Sequence, residues 1–353
     1  MSERWILRKG SKTNGFRYVD ARGAPLRGGS TRARIDALRI PPAWTDVHIA
    51  PNAHAAIQAW GFDVKGRKQY RYHPKAVEQG SLRKHYRVRQ MALDLPLIRE
   101  AVGRDFGKAR RGAPHDLTRE RVTAGVVRLI SEGFFRVGSE RYAKENKTFG
   151  ITTLMKRHVR VEGDVVKFNY VGKKSIEQRQ VVVDASLAAF VEELLETPGR
   201  RLFRYRTEAS EWADLTARDV NGYLHDLVGV PYTAKDFRTW GGTLRAATVL
   251  AEIGPPRTPT EAKRNVVTAV RLVAAELGNT PTICRKSYIH PMVLARYEDE
   301  GITIADDLAR ARRTRRRGEW LHAPEERALI RFLDKYFPER RKARRSEDDE
   351  EAA

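Results

Sequence analysis

The spacing of hydrophobic residues divides the chain into two parts with different predicted secondary structure. Before about residue 90, short runs such as 16–19 and 47–49 alternate between apolar and polar side chains and are separated by glycine- and proline-rich turns. This pattern is typical of β-strands, and short helices are predicted only at 31–38 and near 75–80. From about residue 91, apolar side chains recur every three to four positions, which predicts helices.

Within the second part, the pattern places individual elements. Helices are predicted to begin after residues that cap helix N-termini, namely Thr118, Asp184, Thr216 and Thr233. Others are expected at about 260–277, 291–297, 302–317 and 324–336. Between 157 and 183 the pattern has a period of two, with turns at 162–164 and 171–175, which predicts a three-stranded antiparallel sheet.

These elements predict an α+β fold of two domains. We expect a small β-rich domain at 1–90, a mainly α-helical domain with the three-stranded sheet at 91–338, and a charged tail at 339–353. The tail carries basic residues and then acidic ones, a composition typical of disorder. A second run rich in arginine lies at 312–317.

The charge of the chain points to a polyanionic partner. It carries 67 lysine and arginine residues against 45 aspartate and glutamate residues, a formal charge of +22. Neutralising a phosphate backbone would release counterions, so a nucleic acid is the predicted partner. A charged solvated surface and a membrane-surface or ribosomal binder are the alternatives.

Other classes of protein are disfavoured by what the sequence lacks. No apolar run is long enough to cross a membrane, and the first residues do not resemble a secretory signal. Cys284 is the only cysteine, which excludes an internal disulfide and a thiolate zinc cluster. We expect a cytoplasmic protein. No ATP-binding loop, paired-metal acidic cluster or histidine pair is evident, so no cofactor and no metal is expected.

Several basic residues and one tyrosine occupy settings that suggest phosphate chemistry. Tyr288 follows a basic pair, and cations that stabilise developing charge would help a phenol attack phosphorus; half-buried packing is the alternative. Arg136 lies between apolar neighbours, either as an anion-binding group or as the partner of a carboxylate such as Glu140. Lys235 and Arg238 are three positions apart and share a helix face, where they would repel without an anion.

The predicted strand at 67–73 interleaves aromatic and cationic residues. In an extended chain Tyr70 and Tyr72 point to one face, and Gln69, Arg71 and His73 to the other. This arrangement suits contact with sugars, phosphates and base edges. Two tyrosines packed in a core are the alternative.

The order of these segments resembles the small bacterial and poxvirus-type IB DNA topoisomerases. The matching segments are 38–47, 65–74, 135–154, 171–173, 235–238 and 287–291, so that only the tail beyond about 338 lies outside the resemblance. The resemblance implies relaxation of supercoiled duplex DNA through a 3′-phosphotyrosyl intermediate, strand swivelling and religation, without ATP or metal. It implies a monomer that closes as a clamp around duplex DNA in the nucleoid.

The resemblance also implies a role for each matching residue. Tyr288 would be the nucleophile, Arg136 and Arg238 the phosphate-binding arginines, and Lys173 the general acid. Asn279 stands where many relatives have histidine, so it would donate a hydrogen bond without titrating. Lys174 departs from the acidic or small residue expected there. The implied DNA-contact residues are Arg67, Lys68, Gln69, Tyr70, Tyr72, Tyr142 and Lys235.

Two other classes share some of these features. A tyrosine recombinase would use the same catalytic groups, but normally has His-x-x-Arg where this chain has Lys235 and Arg238, and a helical amino-terminal domain. A noncatalytic DNA-coating protein would explain the charge. It would not explain the ordered matches.

Overall fold

The computed structural model describes residues 5–26, 28–107, 117–314 and 321–337. They divide into two compact units, Met1–His85 and Tyr86–Ala353, and the division falls inside a helix that spans Pro74–Gly107. The predicted tail at 339–353 and the end of the arginine-rich run, from 315, lie outside the described residues.

The first unit is a five-stranded antiparallel sheet with one short helix. The strand order is β2-β1-β3-β4-β5, and the bounds are β1 Ile6–Ser11, β2 Gly15–Val19, α1 Gly29–Ala37, β3 Thr45–Ile49, β4 Ile57–Phe62 and β5 Lys68–Tyr72. One face of the sheet contributes Ile6, Val47, Ile49 and Ala59 to a small core, which Ile35 of α1 completes. Because strand side chains alternate between faces, Tyr70 and Tyr72 lie on the opposite face.

The second unit is mainly helical. Its helices are the continuation of α2 (Pro74–Gly107), α3 Arg119–Gly133, α4 Glu140–Asn146, α5 Ala185–Glu196, α6 Ala217–Val228, α7 Ala234–Ile253, α8 Pro259–Glu276, α9 Pro281–Ser287, α10 Pro291–Glu300, α11 Ala305–Arg313 and α12 Pro324–Tyr336. An antiparallel sheet is formed by β6 Val159–Glu162, β7 Val165–Val171 and β8 Glu177–Val183, in that order. A two-stranded sheet pairs β9 Arg204–Arg206 with β10 Trp212–Asp214.

Helix α7 lies at the centre of the second unit. Its buried residues include Phe237, Trp240 and Leu250, and it packs against α3, α8, α10, α11 and α12. Because other helices surround α7, it is buried along most of its length. Such a helix needs apolar residues on more than one face. Two charged residues of α7, Asp236 and Arg238, are therefore held in the protein interior.

The predicted helix starts and the predicted sheet are confirmed, although the Thr233 side chain accepts no backbone hydrogen bond at the start of α7. Thr118 accepts a hydrogen bond from the Arg121 backbone N–H (3.2 Å), and Asp184 accepts one from that of Leu187 (2.8 Å). In the sheet, alternate residues of β7 are buried (Val166, Phe168 and Tyr170), as a pattern with a period of two predicts. Side-chain capping and strict alternation are local signals, so they could be seen in the sequence.

Helix α2 was predicted wrongly. The sequence suggested a short helix near 75–80 and helical periodicity only from about 91, whereas one helix begins at Pro74 and continues through Pro96 to Gly107. Proline lacks the N–H and disfavours a helix interior, but Met91, Leu95 and Ile98 are buried around it. Tertiary packing outweighs the local preference here. The short elements α4, α9, β9 and β10 were not predicted.

Candidate active site

The backbone of Arg136 is fixed by a neighbouring segment of the chain. Phe134 caps the carboxyl end of α3 with a left-handed backbone (φ 51°). Residues 136–137 then pair with 151–152 through Ile151 N–H to Arg136 C=O (2.8 Å) and Thr152 N–H to Val137 C=O (3.0 Å). A Cβ on Gly150 would lie 2.6 Å from the Arg136 carbonyl oxygen, so only glycine fits there. The arginine therefore starts from a rigid position.

The guanidinium of Arg136 is held entirely by neutral acceptors. It donates to Gln178 Oε1 (3.0 Å), to the Gly278 carbonyl oxygen (3.0 Å) and to Asn279 Oδ1 (2.7 Å). The alternative in which Glu140 neutralises it is wrong, because Glu140 binds Arg201 instead. The positive charge of Arg136 is thus oriented without being cancelled.

Arg238 is buried in the first turns of α7 and is 1% exposed. It donates to the carbonyl oxygens of Phe134 and Leu277, the second at 2.8 Å. Burial lowers the pKa of Arg238 to about 10, with a further lowering by the charge of Arg136, while Tyr288 acts in the opposite direction. At neutral pH the side chain still carries its charge.

The carboxyl end of α8 binds both arginines. The last carbonyls of a helix have no partner within it; here Leu277 C=O accepts from Arg238 and Gly278 C=O accepts from Arg136. Gly278 adopts φ 57°, as expected for a glycine that ends a helix. Cations are also favoured at this end of the helix macrodipole. Within the described part of the chain, neither arginine has an ion pair.

Asn279 follows directly and faces Arg136. Its Oδ1 accepts from Arg136, while its Nδ2 donates at 3.3 Å to the Leu277 carbonyl oxygen. The sequence suggested a hydrogen-bond donor at this position. The geometry adds that the amide oxygen orients an arginine, and an amide nitrogen carries a second N–H that can still be donated.

Tyr288 is the first residue after α9 and lies against α7. Its backbone N–H donates to the Cys284 carbonyl oxygen (2.9 Å). Two residues later, the His290 N–H donates to Thr243 Oγ1 of α7 (3.0 Å). The Tyr288 ring is half-buried, with its centroid 5.0 Å from Cζ of Arg238. The phenol and the buried guanidinium are therefore neighbours.

Lys173 lies at the exposed tip of the β7–β8 hairpin. Residues 173–175 form a tight turn in which Lys174 and Ser175 have positive φ, and the Gly172 N–H donates to the Ile176 carbonyl oxygen (2.8 Å). Among the described residues, no side chain pairs with its amino group. The structure brings Arg136, Arg238, Asn279 and Tyr288 together, while Lys173 stands on an adjoining projection without contacting them.

The tyrosines of β5 are exposed. Tyr70 is 39% and Tyr72 51% exposed, and their rings stack with centroids 5.7 Å apart. Lys68 on the same face places its Nζ 3.7 Å from the centroid of Trp60, which itself stacks on His48. The alternative of two core tyrosines is wrong. This face of the first unit is aromatic and basic.

The other predicted contacts of the first unit are engaged within it. Arg67 and Gln69 both donate to Asp63 Oδ2, at 2.8 and 3.0 Å, and the Arg67 hydrogen bond is the main reason why the pKa of Asp63 falls to about 2. These two side chains would have to leave Asp63 before binding DNA. In the second unit, Lys235 is exposed in the first turn of α7, and Tyr142 is exposed on α4.

The described ranges contain no helix long and apolar enough to cross a membrane. They also contain no group of three or more side chains that could hold a metal ion.

Two family models match the chain. The model "Eukaryotic DNA topoisomerase I, catalytic core" covers residues 68–315, which is more than half of the sequence. The chain belongs to the type IB DNA topoisomerase family. The model "Bacterial DNA topoisomerase IB, N-terminal domain" covers residues 15–63, so the amino-terminal part of this topoisomerase is of the bacterial type.

Viral topoisomerases are similar over most of their length. DNA topoisomerase 1B of Acanthamoeba polyphaga mimivirus is 32% identical over 273 residues, which is 75% of this chain and 80% of the viral one. DNA topoisomerase 1B of Vaccinia virus is 24% identical over 275 residues, or 74% and 81% of the two chains. The family, the α+β fold and the type IB topoisomerase class predicted from the sequence are confirmed.

Sequence reasoning on this topoisomerase missed the residues that support the site. Gln178 contacts Arg136, and the ring of Phe134 lies where a Cβ on Gly241 would be, only 1.9 Å away. A glycine pair inside a helical pattern usually marks close packing, so Gly241 and Gly242 gave a signal. Gln178 gave none, because a polar residue at an inward strand position has no distinctive spacing.

Proposed function

We propose that the chain relaxes supercoiled duplex DNA by cutting and resealing one strand through a covalent link to Tyr288, without ATP or metal. The observation that carries the proposal is a pair of arginines, Arg136 and Arg238, oriented by neutral acceptors beside a tyrosine ring. Side chains alone then supply the positive charge that an in-line displacement at phosphorus needs.

Each proposed role follows from the chemistry of the group. The Tyr288 hydroxyl attacks phosphorus, gives its proton to solvent water and forms the 3′-phosphotyrosyl bond as the bond to the 5′ oxygen breaks. Arg136 and Arg238 bind the nonbridging oxygens, because guanidinium groups stay protonated and donate in pairs. Asn279 is a further donor. Lys173 protonates the leaving 5′ oxygen, which is a much stronger base than phenoxide.

Religation is the reverse of this step. One phosphodiester is exchanged for another, so little bond free energy is lost and no nucleotide is needed. Between the two steps the cut strand swivels and supercoils are released. Duplex DNA would be contacted by the aromatic and basic face around Tyr70 and Tyr72, and by Lys235 and Tyr142. We propose a monomer whose amino-terminal domain, 1–90, closes over DNA held by the catalytic domain, 91–338, in the cell's nucleoid.

The test uses a supercoiled plasmid with EDTA present and ATP absent. We expect the purified chain to relax it and, on rapid denaturation, to leave a DNA adduct that peptide mapping places on Tyr288. Tyr288→Phe removes one hydroxyl, so it should abolish relaxation and adduct while duplex binding stays nearly unchanged. Relaxation that requires magnesium or nucleotide, or that survives in Tyr288→Phe, would refute the proposal.

A further inference from the structure

One buried side chain outside the proposed catalytic set contacts three of the segments that carry that set. Gln178 lies on β8, just after the hairpin turn, and is 2% exposed. Its Oε1 accepts from Nη1 of Arg136 (3.0 Å), and its Nε2 donates to the Glu177 carbonyl oxygen (3.1 Å). The second bond fixes which way the amide faces, so the oxygen is directed at the arginine.

Two glycines enclose this side chain. A Cβ on Gly172 would lie 2.6 Å from Cγ of Gln178, and a Cβ on Gly278 would lie 2.2 Å from its Oε1. Gly172 immediately precedes Lys173, and Gly278 immediately precedes Asn279. The glutamine is thus packed between the base of the Lys173 turn and the end of α8, with no room for either segment to approach more closely.

We infer that Gln178 is a positioning residue for Arg136. The inference rests on the proposed function, because the arginine's task is the binding of the scissile phosphate. Of the three acceptors that hold Arg136, Gln178 is the one that binds Nη1, and the other two share Nη2. Loss of the Gln178 oxygen frees one arm of the guanidinium to rotate, and a bidentate contact with phosphate depends on both arms.

The two informative substitutions at this position preserve its size. Gln178→Met keeps the length but removes the acceptor, so single-turnover cleavage of a suicide DNA substrate should slow by about 10- to 100-fold, the range expected for a misplaced catalytic group. Gln178→Glu puts a carboxylate on Arg136 that competes with the phosphate, and should slow cleavage further than Gln178→Met.

The matched control is Gln180→Met. Gln180 lies two residues further along β8, on the same buried face, and it makes no hydrogen bond to either arginine. We expect Gln180→Met to cleave at the wild-type rate. Thermal unfolding of all variants separates altered packing from altered chemistry.

A substrate with a 5′-bridging phosphorothiolate shows where Gln178 acts. The sulfur leaves without protonation, so this substrate compensates for a defect in the general acid but not for one in the arginine. The Gln178→Met defect should therefore persist on it. Full rescue would overturn the inference, since the effect would then lie with Lys173.

The outcomes distinguish the two proposals. A wild-type chain that forms no adduct would refute the proposed function itself. If the wild-type chain cleaves DNA and both Gln178→Met and Gln178→Glu cleave it as fast, only the role of Gln178 is overturned. If Gln178→Met does not fold, Gln178→Glu provides the same test, with wild-type cleavage by that variant counting against the inference.

Discussion

Gly242→Ala should displace the proposed nucleophile without touching its side chain. Gly242 lies inside α7, and a Cβ built on it would be 2.7 Å from the Tyr288 carbonyl oxygen. Glycine is unfavourable in a helix interior by about 1 kcal/mol relative to alanine. The substitution would therefore stabilise the helix if there were free space around the new Cβ.

The size of the displacement follows from the contact. Ordinary non-bonded contacts are near 3.5 Å, so the Tyr288 backbone must recede by roughly 0.5–1 Å. The atom that must move is a main-chain oxygen, and hydrogen bonds hold the backbone on both sides of it. The Tyr288 N–H donates to the Cys284 carbonyl oxygen, and the His290 N–H donates to the Thr243 hydroxyl. A misplacement of about 1 Å near reacting groups costs up to about 100-fold in rate. We expect cleavage to slow by roughly 10- to 100-fold.

The assay is single-turnover cleavage of a suicide substrate, read as adduct formation over time, alongside duplex binding, which should be unchanged. The control is Gly222→Ala on α6, where a Cβ would meet nothing within 4 Å; it should stabilise the chain by about 0.5–1 kcal/mol and leave cleavage intact. Wild-type cleavage by Gly242→Ala would show that the Tyr288 segment tolerates movement, and the reasoning from close packing would fail.

Three further predictions concern other parts of the chain. Lys173→Ala should slow cleavage by about 10²- to 10⁴-fold, and a 5′-bridging phosphorothiolate should restore it; failure of that rescue would argue against a general acid. Burial lowers the pKa of His158 to about 4, so the unfolded chain takes up the proton first and stability is lost as the pH falls from about 6.5 towards 4. In urea unfolding measured from pH 4.5 to 7.5, His158→Asn should lose less free energy of unfolding with falling pH than the wild type. An equal loss in the two proteins would contradict this. Lys68→Met should reduce the slope of log affinity against log salt by about 1, whereas Tyr70→Leu should weaken binding without changing the slope. Fluorescence anisotropy titrations measure both slopes, and equal slopes for the two variants would contradict the prediction.

The elements that could be predicted are those with local signals. Thr118 and Asp184 indicate the start of a helix, because their side chains can cap it. The strict alternation of Val166, Phe168 and Tyr170 indicates strand β7. Helix α2 could not be delimited, because Pro96 argues against a helix that burial then stabilises. Propensity is a weak term compared with packing, so errors concentrate where the two disagree.

The candidate site divides in the same way. The proposed catalytic side chains could be named because they occupy recognisable segments, and four of them lie together. Their supports come from far along the chain: Arg238 is held by the carbonyl oxygen of Phe134, and Arg136 by the side chain of Gln178. A backbone carbonyl has no residue signature. Its role therefore could not be predicted from the sequence and became visible only in the folded chain.

The use of carbonyl groups in place of carboxylates has a consequence for binding. A carboxylate partner would give each arginine a full countercharge, and a phosphate would have to displace it. Carbonyl dipoles orient the guanidiniums and leave the charge uncompensated, at the cost of the desolvation that lowers the pKa of Arg238. We expect an anion bound between the two arginines to relieve their repulsion and to raise the pKa of Arg238 again. We therefore expect part of the affinity for phosphate to come from this unpaired positive charge, as the proposed metal-free reaction requires.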